Sequence, residues 1–147
     1  MGKLIKNHLA RLIVLTAAAY QVAASLEGFF WPKIFWDFLT TNFDPIVKPI
    51  PVLQIVNLCF GLLALAWEWP VKQFAGTWLH QSIEFRLLVL PLLAFTSVLM
   101  YQSTNACLYY LIGMAIYFWG YSEGEIVCEK PWALPKREKR NLAKAEA

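Results

Sequence analysis

The sequence predicts an all-α, polytopic membrane protein with four transmembrane helices and a short interfacial helix between spans one and two. Three observations lead there. Hydrophobic residues fill 59% of the 147 positions and charged residues only 16%, against about 45–50% and roughly 25% in a soluble domain. The mean hydropathy is +0.47, and the apolar residues gather into four runs ended by proline or by polar turns. The basic residues fall almost wholly on one side of those runs, the pattern of the positive-inside rule.

The run that organises the chain is Val52 to Trp69, closed by Pro70, with a single charge, Glu68, near its end. A stretch of this length crosses a bilayer. Gln54, Asn57, Gly61, Ala64 and Glu68 recur at alternating steps of three and four, so they share one helical face. A small, polar face opposite one of Leu, Ile, Val and Phe predicts protein on one side and lipid on the other.

In chain order, Met1 to Arg11 is a basic lead and residues 12–31 form the first span, ended by Pro32. Its few large apolar residues supply only about −2 to −5 kcal/mol of insertion drive, so it gains from packing on neighbours. Ala17, Gln21, Ala24 and Gly28 give it a seam for that. The same segment resembles a secretory signal ending at Val22-Ala23-Ala24, but the apolar run continues through Phe29, Phe30 and Trp31, which favours a retained span. Between Lys33 and Pro51, Ile34, Phe35 and Phe38 oppose Asp37, Asn42 and Asp44, which predicts a short helix lying on the outer interface. Pro45, Pro49 and Pro51 then lead an extended chain into the second span, residues 52–69.

A polar link from Pro70 to Glu84 precedes the third span, residues 85–102, which Pro91 is expected to bend. Ser103-Thr104-Asn105 reads as a tight turn. The fourth span covers residues 106–121, with Ala106, Tyr110, Gly113, Tyr117, Gly120 and Gly124 on one face. Residues 1–125 thus form one helical domain, and 126–147 a basic tail around Lys136-Arg137-Glu138-Lys139-Arg140. With four crossings, eleven basic residues share the side of both termini and only Lys33 and Lys48 lie opposite. Both termini are expected in the cytosol. Spans this short suit a thin bilayer such as the endoplasmic reticulum slightly better than a plasma membrane, and the organelle stays open.

Tyr20, Gln21, Glu27, Gln54 and Asn57 lie at similar depth toward the outer side and form the candidate pocket. As plain interhelical hydrogen bonds the amides would contribute ~0.6–2 kcal/mol each. Ala17, Ala24, Gly28, Gly61, Ala64, Gly113 and Gly120 are the candidate helix-packing seam, and Arg86 with Glu123 the candidate boundary ion pair. Glu68, between Trp67 and Trp69, reads either as a proton or cation site or, preferably, as an interface residue between aromatic anchors. His8 and His80 have no second ligand at helical spacing, and Cys59, Cys107 and Cys128 form no CxxC. No catalytic motif is present, so no metal, no cofactor and no enzyme are expected.

Gly28-Phe29-Phe30-Trp31-Pro32-Lys33, Trp36-Asp37-Phe38-Leu39-Thr40-Thr41, Pro49-Ile50-Pro51-Val52-Leu53-Gln54, Trp67-Glu68-Trp69-Pro70 and Tyr121-Ser122-Glu123-Gly124-Glu125 together resemble a group of small fungal four-span membrane proteins. That group has no assigned activity, so the resemblance implies four spans and a fungal source and carries over no functional residue. The expected role is an accessory or structural subunit in membrane lipid, packing on a larger membrane protein or on itself, with no nucleic acid partner. The alternative is a small transporter or lipid-binding module using the outer-leaflet polar pocket.

Overall fold

The computed structural model describes residues 5–34, 42, 44–69 and 71–127. Within them the chain is all-α: α1 (Lys6–Phe30), α2 (Val52–Glu68), α3 (Trp78–Gln81), α4 (Ile83–Leu99) and α5 (Thr104–Ser122), with single 3₁₀ turns at Asp44–Ile46 and Tyr101–Ser103. An isolated antiparallel bridge joins Ile34 to Met100. The expected interfacial helix rests on residues 35–41, and most of the basic tail on 128–147; both lie outside the described residues.

The four long helices repeat one pattern. Asn7, Ala10, Val14, Ala17, Gln21, Ala24 and Gly28 are buried along α1. Gln54, Asn57, Gly61, Ala64 and Glu68 are buried along α2, Ile83, Arg86, Leu90, Leu93 and Ser97 along α4, and Ala106, Tyr110, Gly113, Tyr117 and Gly120 along α5. Alternating steps of three and four keep a seam facing its neighbour when helices cross at about +20°, the geometry of left-handed bundles. The seam of α1 reaches back to Lys6, so the helix begins six residues before the expected start of span one. The polar link after Pro70 contains α3, capped by the Thr77 side chain. The Ser82 hydroxyl accepts from the Phe85 amide at 3.1 Å and starts α4 two residues early. α4 continues through Pro91, and the turn expected at Ser103–Asn105 is the 3₁₀ turn with Thr104 already opening α5.

Around the bundle the order is α2, α1, α5, α4. α1 packs along α2 and α5, and α5 along α4, while α2 and α4 touch only lightly. Successive long helices run in opposite directions. At one end Lys6 Nζ meets Glu123 Oε2 at 2.5 Å and the Asn7 amide donates to Glu125 Oε2 at 3.0 Å. At the other, Asn105 Nδ2 donates to the Tyr20 hydroxyl at 3.2 Å and Lys33 Nζ sits 4.6 Å from the Tyr101 ring centroid.

The closed interfaces depend on missing side chains. A Cβ on Gly61 would lie 2.8 Å from Val22 Cγ2 and 3.2 Å from the Val22 backbone nitrogen, and one on Gly113 would lie 2.6 Å from Val14 Cγ2. Ala17, Ala24, Gly28, Gly61, Ala64, Gly113 and Gly120 are all buried against other parts of this same chain. The outer faces carry large apolar residues instead, among them Leu62, Leu88, Phe95, Leu108 and Phe118. One helix, α1, is long and apolar enough to cross a membrane by length and composition, and α2 is a shorter apolar helix.

Gly113→Val, set against Leu108→Ala on the exposed face, tests this packing. The first overpacks the α1–α5 seam and should cost about 1–3 kcal/mol. The second should stay within ~0.5 kcal/mol. Thermal unfolding of both variants under the same conditions reads the difference.

Candidate functional site

Two polar clusters sit inside the bundle. The first joins α1, α2 and α5 across its middle. Gln21 Nε2 donates to Asn57 Oδ1 at 2.8 Å, and the Tyr110 hydroxyl donates to Gln21 Oε1 at 2.7 Å. Asn57 Nδ2 turns back to the Leu53 carbonyl at 3.0 Å, and Gln54 Nε2 reaches the Gly28 carbonyl at 3.2 Å. Gln21 and Asn57 have no exposed surface, so these side chains fill the space between the helices with one another.

The candidate pocket is therefore only half assembled. Gln21, Gln54 and Asn57 come together, but Tyr20 and Glu27 are exposed on the outside of α1. The reason is helical phase: Tyr20 precedes Gln21 by about 100°, and Glu27 precedes Gly28 by the same turn. Tyr110 is the partner that sequence reasoning left out. It lies on the α5 face already marked by Gly113 and Tyr117, but nothing in one chain says which amide its hydroxyl meets.

The second cluster is ionic and lies at the end of the bundle that holds Lys6 and Glu123. Glu68 closes α2 and is 3% exposed. Arg86, in the first turn of α4, donates from Nε to Glu68 Oε1 at 2.9 Å. The Tyr117 hydroxyl of α5 donates to Glu68 Oε2 at 2.8 Å, and Arg11 Nε of α1 lies 3.8 Å from the same oxygen. Arg86 also donates from Nη1 to the His80 carbonyl, and its guanidinium lies over the rings of Trp67 and Tyr117 at 5.7 and 5.6 Å. Cation–π contacts of this kind, once desolvated, are worth about 2 kcal/mol.

Two expectations are corrected here. Arg86 pairs with Glu68, not with Glu123, because its seam position turns it into the bundle while Glu123 lies past the end of α5 beside Lys6. Glu68 is no interface residue between Trp67 and Trp69. It continues the Gln54–Ala64 stripe and so points inward. Arg11 and His80, the other members, were read as a basic lead and an isolated histidine. The signal for Arg11 was available, since it stands three residues before Val14 and seven before Ala18, both buried, and so falls on the inward side of the helix. None was available for His80, which depends on where α3 docks.

His80 is fully buried. Arg11 Nη2 lies 3.5 Å from His80 Nε2; a guanidinium can only donate, so Nε2 accepts and the imidazole proton sits on Nδ1. Burial, then the charges of Arg86 and Arg11, lower its pKa from 6.5 to about 4. Protonation would set a third cation beside two guanidiniums. The cluster can hold charge and lock four helices. Among the described residues no group of three His, Cys, Asp or Glu is placed to hold a metal.

Arg86→Ala leaves the Glu68 carboxylate buried with its closest cationic partner gone and should cost about 3–5 kcal/mol, whereas the paired change Glu68→Leu with Arg86→Met should recover most of that loss. Denaturant unfolding of the three chains reads the cycle. For His80 the folded pKa lies below the unfolded one, so the unfolded chain binds more protons between them. Stability should be full above pH 6.5 and fall by up to roughly 3 kcal/mol as pH drops toward 4. His80→Gln should flatten that slope in thermal unfolding between pH 7 and 4.

Neither a curated protein nor a solved structure matches the chain. One family model matches residues 1–125, a span that takes in every helix described above and both polar clusters. The chain belongs to the family described as a domain of unknown function, DUF7727.

Proposed function

We propose that the protein is a four-span integral membrane protein acting as a small accessory or structural subunit, packed in the bilayer against a larger membrane protein or a second copy of itself. The observation that supports this is the inverted distribution of polarity. Gln21, Gln54, Asn57, Arg86 and Ser97 are at most 1% exposed, while Leu62, Leu88, Leu92, Phe95, Leu108 and Phe118 are 51–70% exposed. Water would reverse that arrangement; hydrocarbon favours it, because a polar group facing lipid has nothing to bond. α1, α2, α4 and α5 have 25, 17, 17 and 19 residues. At 1.5 Å per residue the shortest reaches about 25 Å, the low end for a bilayer core of about 30 Å.

The two polar clusters spend their hydrogen bonds on joining helices, which favours cohesion over catalysis. The seams are consumed inside the chain, so a partner would meet the outer aromatic and aliphatic faces, not a stripe of glycines. On this reading Lys6, Lys72 and Glu123 are cytosolic and Lys33 and Lys48 face the other side. The fungal, four-span character of the resemblance belongs to this proposal as well. A second reading, a lipid-binding module, is favoured by an apolar cavity between α2 and α4 and not by the polar set of Gln21 and Asn57.

In a background with Cys59, Cys107 and Cys128 changed to alanine, and in sealed membrane vesicles with the cytosolic face outward, Lys72→Cys should react with an impermeant maleimide and Lys48→Cys only after permeabilisation. Reaction of both from one side would end the four-span reading. Affinity isolation in mild detergent should then yield a stoichiometric membrane companion or a dimer; a solitary monomer would end the accessory reading.

A further inference from the structure

α1 starts where its own residues give it little support. Ile5, just before it, is extended and offers no side-chain hydrogen bond, and the first turn holds no acidic residue. It holds Lys6 and His8 instead, although the first four amides of a helix lack intrahelical partners and its N-terminus carries partial positive charge. Helix ends of this kind fray when nothing else holds them. Here Lys6, Asn7 and Ala10 are buried.

The missing cap comes from the far end of the helical domain. Glu125 Oε1 accepts from the Lys6 amide at 3.2 Å and Glu125 Oε2 from the Asn7 amide at 3.0 Å, across 119 and 118 residues of chain. Lys6 Nζ lies 2.5 Å from Glu123 Oε2, 3.9 Å from Glu125 Oε1 and 4.6 Å from the Trp119 ring centroid. Two carboxylates thus offset the cation that the helix dipole disfavours, and one of them also takes two orphan amides.

The end of α5 is shaped to deliver that carboxylate. Gly124 has φ +71°. Its amide donates to the Tyr121 carbonyl at 3.0 Å, and the Glu125 amide donates to the Gly120 carbonyl at 3.0 Å. This pair of bonds is the Schellman motif that closes a helix C-terminus. An L side chain at 124 would strain it whatever the space. Gly120 leaves room for the contact itself: a Cβ there would lie 2.8 Å from Asn7 Oδ1 and 3.3 Å from Glu125 Oε2. Val127, two residues on, is buried in the main apolar core. Residues 123–127 therefore form a strap across the start of α1, anchored at both ends.

We infer that Glu125 is a long-range cap, and that the strap and the first turns of α1 make one conformational unit that opens without unfolding the rest of the bundle. The closed state is held against a cost, since both polar atoms of the Asn7 side chain are buried without a hydrogen-bond partner among the described residues. Arg11 stands one turn beyond Asn7, its Nε 3.8 Å from Glu68 Oε2 and its Nη2 3.5 Å from His80 Nε2. Release of the strap unwinds Lys6–Ala10 and withdraws Arg11 from both. Glu68 keeps Arg86 and Tyr117, so α2, α4 and α5 stay joined. Openings of this local kind cost less than global unfolding. A pull on the chain beyond Val127 thus reaches the ionic cluster through α1.

Hydrogen exchange read by mass spectrometry on the purified full chain tests this. Glu125→Ala should speed exchange of the amides of residues 6–10 about three- to thirty-fold, the span of a lost cap, and leave residues 57–64 of α2 within about two-fold. Gly124→Ala, at a position where a Cβ meets nothing within 4 Å, should speed the same α1 amides by straining the turn that aims Glu125. A local cap should substitute for the distant one: Ile5→Asp added to Glu125→Ala should reverse most of the acceleration. Should Glu125→Ala fail to fold, Glu125→Gln, which keeps one acceptor, is read in its place and should speed those amides about two- to five-fold. No change at residues 6–10, equal acceleration in all four long helices, or no reversal by Ile5→Asp overturns the inference.

Discussion

One carboxylate joins all four long helices. Glu68 ends α2, takes its closest ion pair from Arg86 of α4, a hydroxyl hydrogen bond from Tyr117 of α5, and a looser guanidinium contact from Arg11 of α1. The α2–α4 side has little else to hold it, since bulky rings separate those helices along their facing halves. A buried charge is tolerable only when paired and hydrogen-bonded, so this end of the bundle has one rotational setting for each helix. Move any of them by a residue and the buried carboxylate loses a partner.

The rest of the bundle divides the work. Glycines and alanines let α1 approach α2 and α5 until backbone nearly meets side chain, and dispersion does the holding. The amide layer of Gln21, Asn57 and Tyr110 adds register, because its donors and acceptors match at one axial offset. The ionic cluster adds register again at the far end. Both polar layers are buried, which makes each hydrogen bond strong and each unmatched group costly.

Much of this was legible beforehand in the spacing of residues. The stripe on α2 is correct residue for residue and that on α5 from Ala106 to Gly120, since a helix turns 3.6 residues per cycle whatever surrounds it; Gly124, read onto the same face, lies past the end of α5 and is exposed. The stripe of α1 was read from Ala17 to Gly28 and stopped too soon. Carried back in steps of three and four it passes Val14, Ala10 and Asn7, and the start of α1 at Lys6 would have followed. Charge obscured it: Lys6 and Arg11 look like a solvated lead until a carboxylate from elsewhere meets them. The Arg86–Glu123 pairing failed for a related reason. Depth along the bundle axis was judged well enough, but pairing also needs each side chain to face the other, and Arg86 faces inward while Glu123 sits beyond the end of α5.

By itself the sequence determined that the chain is helical, where its apolar runs lie, and which face of α2 and α5 is small and polar, because those are properties of composition and of a fixed helical period. Only the tertiary structure decided that Glu68 meets Arg86, Arg11 and Tyr117, that Gln21 meets Asn57 and Tyr110 while Tyr20 and Glu27 turn away, and that the α2–α4 side stays open. Contacts between helices depend on which neighbours adjoin and at what offset. That choice is made by the sum of many close approaches, and no single stretch of chain contains it.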